Sequence, residues 1–350
     1  MVNLKLNETP VRTSKSFNIN NIKLSNIETP KTISKFDSIK IEGDLETIEN
    51  KKTSINLKYG LGENLTNEVI EYANENYDIT ITKKSNIIFN FDFDDNNKDL
   101  IENINICANE NTESTIIFKY KSTKNINCYH NGIIKLLAKK DSKVNVLIIN
   151  LLNDISNNFL SVENIIEENA DVNYTIVDFG GKNSVTNYYS NVIGDFAKNE
   201  LNTIYLGKDK KILDLNYIAE LYGKQSIVNI EVQGALKDKA KKNFKGTIDF
   251  KKGSKKAKGE ENENCMLLSD TAKSIALPML LCSEEDVEGA HSASAGKVGT
   301  KELFYIMSRG FNLKEAEKLL VRANFNKILD NIKNEGIKEE ILKEIDIRLD

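Results

Sequence analysis

Tryptophan is absent from this 350-residue chain, and histidine and proline occur only two and three times. With two histidines, a Ser-His-Asp or Cys-His pair has few places to form, and Ser292, beside His291, lacks the strand-turn-helix setting of a nucleophile elbow. The four cysteines, Cys107, Cys128, Cys265 and Cys282, are scattered without a Cys-x-x-Cys spacing. That pattern fits free thiols in a reducing compartment better than a disulfide framework. No run approaches the ~18–20 apolar residues that span a bilayer, and residues 1–20 lack the apolar stretch of a signal peptide, so a soluble cytoplasmic protein is expected. Phosphate-binding loops are missing too: "FGGKNS" at Phe179 has the wrong spacing, and "YGLGEN" at Tyr59 lacks the third glycine of a dinucleotide fingerprint. The chain is expected to bind no nucleotide.

A formal charge of −4 gives no general reason to bind nucleic acid. The lysine run over residues 237–258 is interleaved with Phe244, Ile248 and Phe250, which reads as the solvated edges of outward-facing strands.

What the chain does have is β-branched and aromatic alternation, starting at Ile79 and scarcely interrupted by proline. Within it a short polar turn followed by a small residue recurs at Ser142, Ala170, Ala197, Ser226 and Ser254, with gaps of 28, 27, 29 and 28 residues. A near-constant period with strand-type alternation predicts a β-solenoid, favoured over a sandwich of equal-length hairpins because hairpins rarely keep one spacing over five units. Five to six coils at about 4.8 Å would give a body roughly 25–30 Å long.

Helical spacing frames this region. Before it, Leu65, Val69, Ile70 and Ala73 share a face of a helix predicted within residues 64–79. After it, Thr300 is a candidate N-cap and Gly310 a left-handed stop, and Asn312 with Glu315 has the spacing of a capping box. Leu313, Ala316, Leu319, Leu320, Ala323 and Ile328 then fall on one stripe, and a last helix is expected from Ile337 to Leu349. The division is therefore a mixed N-terminal region (1–78), a β core (79–298) and a helical domain (299–350).

Few residues look chemically active. Cys128 and His130 would share one side of a strand, but two ligands make no site, and a turn with a buried thiol is the plainer reading. The acidic turn at residues 283–289 could collect a hard cation, though loop carboxylates are usually just solvated. Cys282 alternates with Leu280 and is expected to pack in the core. His291 is different. Its neighbours Ala290, Ser292, Ala293 and Ser294 offer too little bulk to bury a ring, which leaves a ligand, an interface residue or a bystander.

The stretch "DVEGAHSASAGKV", followed by "LFYIMSRG" and "EAEKLLVRANFNKIL", spans residues 286–329 and resembles the C-terminal signature of the SufB/SufD family of the Suf iron–sulfur cluster assembly machinery. "TIDFKKGSKKAKG" at Thr247 and "LNETPVRTSKSF" at Leu6 resemble further family segments. The resemblance implies a mostly β chain, a right-handed parallel β-helix with helical segments at both ends, acting as a scaffold and not as an enzyme. It also implies a SufC-type ATPase docked on the C-terminal helices, here Phe304, Met307, Arg309, Leu319 and Leu320, with a SufB-type paralogue or a second copy as the other partner. In the family a transient iron–sulfur cluster is assigned to the subunit interface, involving a SufB cysteine, a SufB glutamate and a SufD histidine. His291 falls on that histidine, Ser292 stands at the glutamate position and Glu263 at the cysteine position, two residues before Cys265. Gly289 replaces a cysteine that many SufD chains carry just before the histidine. The chain is thus SufD-like, with His291 and, more weakly, Cys265 as metal-facing residues. A β-helical protein that binds or cleaves polysaccharide is the alternative; the lack of a signal peptide and of tryptophan speaks against it.

Overall fold

The structure, a computed structural model, describes residues 1–13, 19–30 and 32–350. The β region folds as predicted into a parallel solenoid. Two nine-stranded sheets face each other, and in each of them eight strands run parallel while one short antiparallel strand closes the N-terminal end. Sheet I ends in strand Glu288–Lys297 and sheet II in strand Lys273–Cys282. The chain alternates between the sheets, one strand in each per coil, so about eight coils stack along the axis. The seven strand spacings between them come to about 34 Å. This exceeds the five or six coils expected, because the early turns lack the small-residue signature; Thr112 stands where Ser142 and Ala170 stand later.

Along sheet I successive strands are offset by 29, 30, 28, 27, 29, 31 and 30 residues. The spacing of 28 therefore holds for only one of the seven steps, and the coils run from 27 to 31 residues. Each small residue of the repeat is fully buried behind a residue with positive φ: Asp141, Asn169, Phe196 and Gln225 precede Ser142, Ala170, Ala197 and Ser226. The chain turns sharply in the left-handed region and leaves space only for a small side chain inside. The fifth unit corrects the sequence reading. Ile227 pairs with Lys258, so the register partner of Ser226 is Ala257, not Ser254; Gly253 and Lys256 both take positive φ and lengthen this turn.

The lumen is filled by stacked apolar layers such as Phe89 on Phe118 and Phe91 on Tyr120. The outer faces are covered differently. On sheet II lies the N-terminal segment, a hairpin of Val2–Leu6 with Ile22–Ile27 and helix α1, Glu63–Tyr72. Leu65 and Val69 are buried there, whereas Ile70 is exposed and residues 75–81 form the first parallel strand of sheet II instead of extending the helix. A polar network pins this segment. Asn7, held at φ 61, donates to Asp214 Oδ1 at 2.7 Å, and Lys245 Nζ donates to both Asp214 (2.6 Å) and the Asn7 carbonyl (2.9 Å). Residues 14–17 of the family-like stretch that begins at Leu6 lie outside the described residues.

Sheet I is covered by helices α2 (Thr300–Ser308), α3 (Leu313–Leu329) and α4 (Glu335–Leu349), of which α3 and α4 supply the buried contacts. Thr300 is the first helical residue and Gly299 the N-cap, while the Asn312–Glu315 capping box forms as expected and Gly310 takes positive φ. Val321, Phe325, Ile328 and Leu329 of α3 pack with Ile341, Ile345 and Leu349 of α4 on Leu147, Ile149, Val177 and Phe179 of the sheet. Each such side chain contributes on the order of 1.5–3 kcal/mol before entropy. The buried stripe of α3 therefore differs from the expected one: Leu313 and Leu319 are exposed. Among the described residues no helix is long and apolar enough to cross a membrane.

Candidate functional site in the last two coils

Strand Lys258–Leu267 alternates strictly, and Gly259, Glu261, Glu263 and Cys265 are the residues that turn into the lumen. Acids are unusual there, and the two are treated differently. Glu263 Oε1 accepts from Lys242 Nζ at 2.7 Å and from the Tyr205 hydroxyl at 2.9 Å, and Lys242 also donates to the Ile275 carbonyl at 3.3 Å. The tyrosine ring fits because position 234 is glycine; a Cβ there would run into it. Lys242 and Lys245 are both buried, which corrects the solvated reading at these two positions while most of the run stays exposed: Lys242 lies in the lumen against Glu263, and Lys245 lies on the outer face of sheet II, under the N-terminal segment, against Asp214.

Glu261 has no such partner. Both carboxyl oxygens are buried without a hydrogen bond, and the group lies over Gly246, where a Cβ would overlap it. Burial, helped by the neighbouring Glu263, pushes this acid up to about 8. Cys265 is buried beside Tyr205 and Ser274; burial raises its thiol above the usual range, and Lys242 opposes that rise. Cys265 thus shares the inward face with Glu263.

One coil further on, none of the described residues covers the chain. Every residue of strand Glu288–Lys297 is exposed. Its pairing with the strand below is in register, which sets His291 on Glu261, Ala293 on Glu263 and Ala295 on Cys265. On the facing strand Ala276, Pro278 and Leu280 follow Phe244, Gly246 and Ile248. The last coil is therefore an open cup whose inward positions are mostly small, with His291 at the rim and Glu261, Glu263, Lys242 and Cys265 one layer down. Cys282 keeps the inward register of Leu280 but is exposed, its thiol donating to the Glu284 carbonyl at 2.9 Å. It packs no core, because no further coil exists to bury it. Ser292 points to the outer side, donating to Asn262 at 2.6 Å.

The other histidine is far away. His130 is buried in the lumen between Glu102 (3.1 Å) and Asn158 (2.7 Å), its ring stacked on Tyr120 at 4.3 Å. Cys128 is a buried thiol at the threshold of the same strand, near Ser122 and the Ile126 carbonyl. Among the described residues no three His, Cys, Asp or Glu side chains stand close enough together to hold a metal ion.

The tail presents a second surface. Phe304 is 74% exposed, and Tyr305, Met307 and Leu319 are also exposed, while Leu320 is half-buried. The Arg309 guanidinium lies over the Tyr305 ring at 5.2 Å.

Sequence reading singled out His291 and Cys265 but missed Glu261, Lys242 and Tyr205. Laying residues 258–267 over 288–297, a shift of 30, would have set Glu261 under His291. That offset departs from the apparent period of 28.

Fold and site together define a parallel β-solenoid sealed at its first coil, uncapped at its last and carrying a histidine on the lumen side of the bare strand. Residues 91–324 match the model of the family described as SUF system FeS cluster assembly, SufBD core domain, and the chain belongs to that family. It is 31% identical over 157 residues to the iron–sulfur cluster assembly protein SufD of Bacillus subtilis (strain 168), covering 45% of this chain and 36% of that protein. The SufD of Escherichia coli (strain K12) is 28% identical over 114 residues, 33% of this chain and 27% of that one. A SufBD family protein of Pyrococcus horikoshii is 30% identical over 174 residues, 49% and 38% of the two chains. The chain thus spans about a third of the length of the curated relatives it matches.

Proposed function

We propose that this chain is a SufD-like scaffold of cytoplasmic iron–sulfur cluster assembly, without catalysis of its own. Its last coil is completed by a SufB-type paralogue or a second copy, and a SufC-type ATPase docks on α2 and the exposed side of α3. The observation that carries this reading is the bare final coil with His291 facing its lumen. A neutral imidazole is a competent borderline ligand, but one imidazole cannot hold a cluster. A nascent cluster, the cargo, would take its remaining ligands from the chain that pairs with the open edge. The polysaccharide alternative keeps only the fold in its favour, and the family match takes the other side.

Co-purification of the full chain with its native partners tests the reading. His291→Ala should retain those partners and the thermal midpoint while iron and sulfide per complex fall at least tenfold, with partial recovery in His291→Cys. Unchanged iron and sulfide would overturn it. The ATPase surface is tested by Phe304→Ser with Met307→Ser, since deleting the tail would strip the apolar flank of sheet I. Exposed positions tolerate such changes within about 0.5 kcal/mol, so retention of the ATPase in a pull-down should drop while the fold stays intact.

A further inference from the structure

We propose that Glu261 is a positioning residue for His291: when a partner covers the last coil, a Glu261 carboxyl oxygen accepts the N–H of the imidazole and holds the ring with its other nitrogen toward the interface. This rests on reading His291 as an interface ligand.

Three observations converge on Glu261. It is the residue directly beneath His291 in an unbroken parallel register, so the two side chains occupy adjacent positions one strand spacing apart on the same inward face. It is fully buried, yet neither carboxyl oxygen has a hydrogen-bond partner, a condition that buried polar groups in folded proteins rarely tolerate. And room is reserved for it, because Gly246 on the facing strand lacks the Cβ that would overlap the carboxyl. Glu263, two residues on, shows what an acid in this lumen looks like when its role is structural: it is held by Lys242 and Tyr205. Glu261 is given space and no donor.

A histidine that binds metal through one nitrogen commonly donates its other N–H to a carboxylate, which fixes tautomer and ring orientation. Of the inward groups in the coil beneath, Glu263 lies under Ala293 with its Oε1 already held by Lys242 and Tyr205, and Cys265 lies under Ala295. Glu261 alone is both under the ring and unspent. The free chain, with His291 exposed, leaves this bond unmade, and the cost of the buried acid is carried until the coil is covered.

The test uses the chain in complex with its native partners, purified anaerobically, with ferrous ion alone as the probe in competition with a chromophoric chelator. Glu261→Leu should weaken ferrous binding by about 10–100-fold, the usual consequence of removing such an outer partner. The same variant should hold or raise the thermal midpoint, since an unpaired buried acid is replaced by an apolar side chain. Glu261→Gln, which keeps an acceptor oxygen in the same volume, should bind within about threefold of wild type. A structural role predicts the reverse, a lower midpoint with unchanged binding. Unchanged binding in Glu261→Leu while His291→Ala loses it overturns this inference and leaves the function intact. Binding unchanged in both variants overturns the function itself, and Glu261→Gln falling as far as Glu261→Leu overturns the hydrogen-bond role.

Discussion

The two ends of the solenoid handle the same problem in opposite ways. At the N-terminal end both sheets finish in short antiparallel strands, Ile39–Gly43 and Ile48–Glu49, and Phe36 wedges into the first coil with its ring 5.0 Å from Phe93. The acids near that end have donors: Glu75 accepts from Tyr77, and Glu102 accepts through Oε1 from Tyr120 and His130, leaving only its Oε2 unpaired. At the C-terminal end the strands stop at full length without a cap, and Glu261 has no donor. A stack of strands left open is a template for pairing, which folded proteins usually blunt. One end is blunted and the other is not, and on the function proposed above the open one is the surface left for another chain.

The two histidines give the strongest way to break this comparison. His130→Ala removes a buried ring and leaves Glu102 short of a donor, so it should cost about 2–4 kcal/mol in chemical denaturation. His291→Ala should stay within about 0.5 kcal/mol of wild type. Equal losses in the two variants would mean that both ends are packed alike.

A proline in the open edge should act on association and not on folding. In a parallel strand, neighbouring residues turn their N–H groups to opposite sides, so of Ala293→Pro and Ser294→Pro one leaves the intramolecular ladder whole. That variant should keep its midpoint and lose partner affinity at least tenfold in analytical ultracentrifugation. Undiminished association would place the partner elsewhere.

A smaller effect should come from the sealed middle of the body. Lys211 lies buried 3.5 Å from Asp178, and desolvation, only partly offset by that acid, brings its ammonium down to about 8 from an ordinary 10.5. Between those values the unfolded chain binds a proton that the folded chain has shed, so stability rises with pH across that window. Lys211→Met should flatten this rise in pH-dependent thermal melts. Persistence of the full rise in Lys211→Met would assign it to other groups.

Much of this architecture is legible in the residues. The small-residue turns, the change from strand to helix spacing near residue 299 and the Asn312–Glu315 box are local signals, each set by what one turn of backbone can accommodate. The candidate site is less legible because its meaning depends on neighbours 30 residues away. Glu261, Glu263 and Cys265 read as a polar strand until the coil is closed, and Lys242 reads as solvated until Glu263 is placed opposite it. Cys282 looks like core because alternation reports which side a residue faces, not whether another layer lies beyond.

The in-register stacking also determines how such a chain can change length over generations. One residue inserted within a strand would exchange every inward side chain after it in that strand for its outward neighbour. The same insertion in a turn is harmless, as the offsets between 27 and 31 already show within this one molecule. Gain or loss of a whole coil would leave the pattern in phase on both sides. The terminal cup can therefore be carried unchanged on bodies of different height, which uncouples the evolution of the site from the size of its support.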